Sequence, residues 1–108
     1  MAGKVNRGEI WLYTFRRPDK QRPVLVLTRD DVIPLLHTVT VAPITSTIRG
    51  APSEVLVGEA EGLKYDSAVN LDHIQTVGRA GLSKYLGTLT RAKLNQVCMA
   101  MQIALGCR

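Results

Sequence analysis

Two hydroxyl- and cation-bearing positions offer the clearest chemistry in this chain. Arg22 opens the apolar run Arg22-Pro23-Val24-Leu25-Val26-Leu27-Thr28, and Thr45-Ser46-Thr47 closes the run that begins at Val39. Guanidinium and hydroxyl groups both donate hydrogen bonds to anionic oxygens, so a strand tipped with one and a strand tipped with the other make a phosphate site. Arg49 follows two residues later, and Arg16-Arg17-Pro18-Asp19-Lys20-Gln21 supplies three more cations just before Arg22. That segment reads as a basic flap over whatever Arg22 faces, or more plainly as a solvated loop. Such donors bind a phosphodiester and stabilise the extra negative charge of a pentacoordinate transition state. RNA cleavage is within their reach, because RNA carries its own nucleophile, the 2′-hydroxyl. From these residues alone a nucleic-acid-binding module comes first and a ribonuclease second.

Other chemistries find little support. The two histidines, His37 and His73, and the two cysteines, Cys98 and Cys107, show no zinc-like spacing, so no metal and no cofactor is expected. Gly-rich phosphate loops are missing. Ser46, Ser53, Ser67 and Ser83 lack a local histidine-and-acid signature. His73 follows Asp72, but neighbours on a strand point to opposite faces, which favours a structural histidine over an acid–base one.

The elements that must position these groups are short strands. Arg7 to Phe15 is a first strand, aromatic and β-branched from Glu9 onward, and the basic segment joins it to the Arg22 run as a short hairpin connection. The Arg22 run is almost continuously apolar and predicts a strand buried on both faces. Pro23 cannot donate to a ladder, so that strand should begin at an edge or at its first position. Val32 to Leu36 is irregular around Pro34. His37 to Ile44 alternates and predicts a third strand. Glu54 to Val57 is a fourth, Asp66 to Leu71 and His73 to Val77 are two more or one continuous strand, and Lys84 to Leu89 is a weak last one. The period then changes. Thr90 is a suitable N-cap, Leu94, Val97, Cys98, Met101 and Leu105 share one helical face, and Gly106 supplies the stop. Short strands closed by one helix predict a small bent sheet or barrel.

Bulk properties agree with an anionic partner. The chain has 108 residues, suited to one domain over 1–108, and is 45% hydrophobic, enough for a core. Lys plus Arg total 14 and Asp plus Glu total 9, a net charge of +5, which points first to nucleic acid. Two cysteines make no disulfide framework, and a reducing cytosol is the default. No apolar run approaches the roughly 20 residues of a membrane span, and residues 1–6 lack a signal-peptide core.

In order along the chain, Arg7-Gly8-Glu9-Ile10-Trp11, Arg22-Pro23-Val24-Leu25-Val26, Ala42-Pro43-Ile44-Thr45, Asp66-Ser67-Ala68-Val69 and the helix after Leu86-Gly87-Thr88-Leu89 resemble the MazF/PemK toxins of toxin–antitoxin systems. The likeness covers about residues 7 to 105. It implies a mainly β fold with a C-terminal α-helix, an SH3-like or CcdB-like barrel of six to seven short strands. It implies a cytoplasmic homodimer that cuts single-stranded RNA without metal, leaving a 2′,3′-cyclic phosphate and a 5′-hydroxyl. The family's catalytic arginine falls on Arg22 and its threonine on Thr45. Ser67 and His73 lie near its RNA contacts, joining Arg16, Arg17, Lys20, Ser46, Thr47 and Arg49 as expected RNA-binding residues. A cognate acidic, MazE-like antitoxin is also implied. The flap here is short and basic where many relatives carry a longer Gly-rich or acidic loop, so the cleaved sequence does not carry over. Two rival readings share the fold: a non-enzymatic CcdB-like gyrase inhibitor and an inactive RNA-binding barrel. The first uses residues at the extreme C-terminus, including a Trp, whereas this chain's only tryptophan is Trp11.

Overall fold

The computed structural model describes residues 4–15 and 20–107. It contains β1 (Glu9–Thr14), β2 (Gln21–Val26), β3 (Thr38–Thr45), β4 (Glu54–Val57), β5 (Ser67–Asn70), β6 (Gln75–Gly78), β7 (Leu82–Thr88) and the helix α1 (Arg91–Leu105). The strands lie in the order β4-β5-β3-β2-β1-β7, with β6 paired to β3, and every pairing is antiparallel. They form a curled half-barrel closed by one helix, as the short runs and the change of period predict.

β2 sits at the centre because both its faces are apolar. Leu25 enters a core with Ile10, Ala42, Ile44, Val69 and the helix residues Val97 and Ala100. Val24 and Val26 enter a second core with Trp11, Tyr13, Val39, Val41 and Leu82. Burying one such aliphatic side chain contributes about 1.5–3 kcal/mol, so the central strand is fixed from two sides. β3 serves both cores in turn: Val39 and Val41 face the second, Ala42 and Ile44 the first. Pro23 is accommodated as its chemistry requires. It lies opposite Leu12 of β1, just before the ladder with β3 starts at Val24–Pro43, so the donor it lacks is not missed there.

Several elements differ from the sequence-based expectation. Val32 to Leu36 contains a 3-10 turn at Ile33–Leu35, with Pro34 in its first turn, where a missing N–H does no harm. Of the two alternatives for residues 66–77, two strands is the one found: β5 and β6 are separate, but shifted from the expected bounds by a 3-10 turn at Leu71–His73 whose entry is capped by Asn70. The last strand starts at Leu82 and pairs along most of β1, which makes it a full member of the sheet. In α1 the Thr90 hydroxyl accepts from the Lys93 N–H at 3.2 Å and Gly106 adopts φ +68 at the C-cap, both as expected. Leu105, however, is 62% exposed. The packed face instead takes in Ala100 and Ala104. One residue turns a helix by about 100°, so Leu105 lies at the margin of a stripe centred on Val97 and Ala104.

Two details seat the segments that frame the site. The Arg7-Gly8-Glu9-Ile10-Trp11 motif is a clasp: the Arg7 guanidinium donates to the Leu27 carbonyl and lies 3.2 Å from Cys98 Sγ. The Gly8 N–H donates to Val26 O at 2.9 Å, and Glu9 Oε1 accepts from Asn6 N and Trp11 Nε1. At the other end, Gly62 and Gly87 let two backbones touch. A Cβ on Gly62 would sit 2.1 Å from Leu86 O, and one on Gly87 would sit 2.2 Å from Glu61 O. This contact presses the 62–65 loop onto β7.

Candidate functional site

The antiparallel register brings the two expected donors together. Val24 faces Pro43 at the end of the β2–β3 ladder, and continuing that register by two residues on each strand would bring Arg22 across from Thr45. Both residues line the same two clefts. Thr45 is held on its other flank by pairing with Ala68 of β5. Its Oγ1 accepts from the Thr47 N–H at 3.1 Å. That bond uses a lone pair and leaves the hydroxyl proton to donate outward. Arg22 is exposed, so its guanidinium can approach a ligand without first being desolvated.

Arg22, Ile44 and Thr45 form a ridge shared by two clefts. The first, about 380 Å³, is also lined by Thr47, Arg49, Glu54, Asn70, Asp72 and His73. Glu54 organises its rim: one carboxylate oxygen accepts from the N–H groups of Arg49, Gly50 and Ala51 at 3.1, 2.9 and 3.3 Å. The opposite wall is the 70–73 turn. Asn70 Oδ1 accepts from the Asp72 N–H at 3.0 Å, buried Ser53 donates to Asp72 Oδ2, and Asn70 Nδ2 lies 3.3 Å from His73 Nδ1. The expectation that Asp72 and His73 point to opposite faces is corrected here. They lie on a 3-10 turn rather than a strand, and both line this cleft.

The second cleft, about 600 Å³, runs toward β7. Leu12, Pro23, Leu63 and Leu86 give it an apolar floor, and Lys64, Tyr65 and Lys84 stand beside Arg22 at its rim. Its described lining contains three cations and no carboxylate, so it attracts anions. Tyr65 is 70% exposed and offers a ring on which a base could stack.

The remaining expected residues distribute as follows. Thr47 and Arg49 line the first cleft, and Ser46 the second. Ser67 reaches the second cleft, but it is buried and its hydroxyl donates to Tyr65 O at 2.9 Å, which leaves it only acceptor capacity. Lys20 is exposed at the hairpin end, where its carbonyl accepts from Phe15 N at 3.0 Å. Arg16 and Arg17 lie outside the described residues. Lys64, Lys84, Tyr65, Glu54, Asn70 and Asp72 were not anticipated as site residues. Only strand order could reveal Lys84: it faces Leu12, which faces Pro23, the neighbour of Arg22. Among the described residues no three His, Cys, Asp or Glu side chains gather as a metal site, and no helix is long and apolar enough to cross a membrane.

Comparison with known proteins gives consistent matches. Residues 6–105 match the family described as PemK-like, MazF-like toxin of type II toxin-antitoxin system. A probable endoribonuclease MazF5 of Mycobacterium tuberculosis is 40% identical over 99% of this chain and 98% of the relative. Among solved structures, Mycobacterium tuberculosis toxin MazF-mt6 superposes with a TM-score of 0.84 at 39% identity, covering 91% of this chain and 96% of that one. A mycobacterial endoribonuclease in complex with its cognate antitoxin superposes with a TM-score of 0.86 at 28% identity, covering 96% and 97%.

Proposed function

The chain belongs to the PemK-like, MazF-like toxin family of type II toxin–antitoxin systems, and from that premise we propose that it is a toxin endoribonuclease whose Arg22–Thr45 ridge holds the scissile phosphate of single-stranded RNA. The observation that carries this reading is that Arg22 and Thr45 line both clefts together. The phosphodiester lies across the ridge, with its nucleotides in the two clefts. Arg22 and the Thr45 hydroxyl donate to the non-bridging oxygens, and their grip strengthens as negative charge builds in the transition state. The substrate's 2′-oxygen bonds to phosphorus and the bond from phosphorus to the 5′-oxygen breaks. Overall the proton lost from the 2′-hydroxyl ends on the 5′-oxygen, giving a 2′,3′-cyclic phosphate and a 5′-hydroxyl. Arginine stays protonated, so Arg22 acts as a charge stabiliser and not as a base.

Single strands are the substrate because their unstacked bases can enter the clefts. Arg49, Lys64, Lys84 and Tyr65 bind the flanking nucleotides, as do Arg16, Arg17 and Lys20. The toxin acts as a cytoplasmic homodimer, and its cognate antitoxin is an acidic segment that competes with RNA for the same cations. The test is incubation of the purified protein with mixed single-stranded RNA in excess EDTA, followed by mapping of the ends. Cyclic phosphate and 5′-hydroxyl termini are expected. Activity that vanishes in EDTA and returns with a divalent ion would overturn the mechanism, as would equal cutting of DNA, which has no 2′-hydroxyl.

A further inference from the structure

We infer that Asn70 is a positioning residue that fixes the tautomer of His73, making His73 a hydrogen-bond donor to the phosphate and not the acceptor of the 2′-hydroxyl proton; this rests on the ribonuclease reading above. The geometry leaves little freedom. Asn70 caps the 3-10 turn, and the atom facing the Asp72 N–H at 3.0 Å must be its carbonyl oxygen, because an amide nitrogen there would meet another donor. With the oxygen so placed, the NH₂ group is the one that faces His73 Nδ1 at 3.3 Å. An amide NH₂ donates and cannot accept. Nδ1 therefore receives a hydrogen bond on its lone pair, and the neutral ring carries its proton on Nε2. His73 is exposed and lines the cleft shared with Arg22, Thr45 and Asp72. With Nδ1 turned to Asn70, the Nε2–H edge is the one left for a ligand. Its complement is an anionic phosphoryl oxygen, the group Arg22 and Thr45 also address. The same tautomer has no free lone pair to offer a 2′-hydroxyl.

Nitrogen-15 NMR and four variants, one of them for resonance assignment, test this. Nitrogen-15 NMR of the free protein, with the His73 resonances assigned against His37→Asn, should show the Nε2–H tautomer. Asn70→Asp keeps an oxygen for the Asp72 N–H but replaces the donor arm with an acceptor. It should shift the ring to Nδ1–H while circular dichroism stays unchanged, and a purely structural role for Asn70 would not move that signature. His73→Ala should slow cleavage by about 10- to 100-fold, the range for a lost hydrogen bond to a charged group. In His73→Gln the amide nitrogen lies near the place of Nε2, donates a hydrogen bond and cannot act as a base, so its rate should stay within about threefold of wild type. A His73→Gln protein as slow as His73→Ala would overturn the donor role. An Nδ1–H ring in an active wild-type protein would overturn the inference alone. A wild-type protein that cuts no RNA would overturn the ribonuclease reading, and with it any role of His73 toward a phosphate.

Discussion

Arg22→Ala should separate the fold from the chemistry. Arg22 is exposed, and it precedes the doubly buried stretch Val24 to Val26 that holds β2 in place. Truncating it therefore removes no core contact, and a surface substitution of that kind changes stability by about 0.5 kcal/mol or less. The chemical loss is much larger. Arg22 lines both clefts together with Thr45, and it is the one cation common to the two. Removing one donor aimed at developing transition-state charge lowers turnover by about 10²- to 10³-fold. At about 1.36 kcal/mol per factor of ten, this corresponds to roughly 2.7–4 kcal/mol. Arg22→Lys keeps the charge but loses the planar two-pronged geometry, so it should fall between the alanine variant and wild type. The assay is kcat/KM on a synthetic single-stranded RNA, alongside a thermal melt followed by circular dichroism. A folded Arg22→Ala protein that cuts at more than a tenth of the wild-type rate would refute the assignment of this ridge as the reacting centre. Unfolding of the variant would instead refute the claim that Arg22 carries no structural load.

Further outcomes are expected elsewhere. Thr45→Val removes the outward hydroxyl and should lower kcat by about 10- to 100-fold, whereas Thr45→Ser should retain most activity; equal loss in both would mean that the methyl group, not the hydroxyl, matters. Gly87→Ala drives a Cβ to within 2.2 Å of Glu61 O, a backbone clash that should cost about 3 kcal/mol or more. At about 4 °C per kcal/mol this lowers Tm by roughly 12 °C, and an unchanged melting curve would contradict the close crossing of the two segments. Burial pushes the Tyr13 phenol above its ordinary value, and its hydroxyl donates to Gly78 O at 2.8 Å. The unfolded chain therefore loses this proton first as pH rises. The stabilisation is present below the ordinary tyrosine value near 10 and is lost as pH climbs through the higher folded value. Denaturant midpoints measured from pH 8 to 11 should fall less steeply in Tyr13→Phe than in wild type.

The sequence by itself determined the local units. Apolar runs in the right period mark six to seven strands and a helix, Thr90 and Gly106 mark the helix ends, and Arg22 and Thr45 stand out as donors at strand tips. These signals act over a few residues, which is why they were legible. Where the sequence-based reading missed, two local structures competed. The β-like residues around Asp72-His73 favour a strand, yet Asn70 offers its side-chain oxygen to the Asp72 N–H and the chain turns instead. That turn is what carries Asp72 and His73 into one cleft.

Only the tertiary structure decided which strands pair and in what register. β1 meets β7 across some seventy residues of chain, and nothing local to Lys84 or Lys64 announces that they will stand beside Arg22. The partners are chosen by burial. β2 needs apolar cover on both faces, and the arrangement that supplies it puts β1 and β3 at its sides. A slip of one residue would carry each side chain to the opposite face and exchange what fills the two cores. The same constraint that buries Val24, Leu25 and Val26 carries Arg22 and Thr45 to the same two clefts, and the candidate site is a consequence of how the two cores are filled.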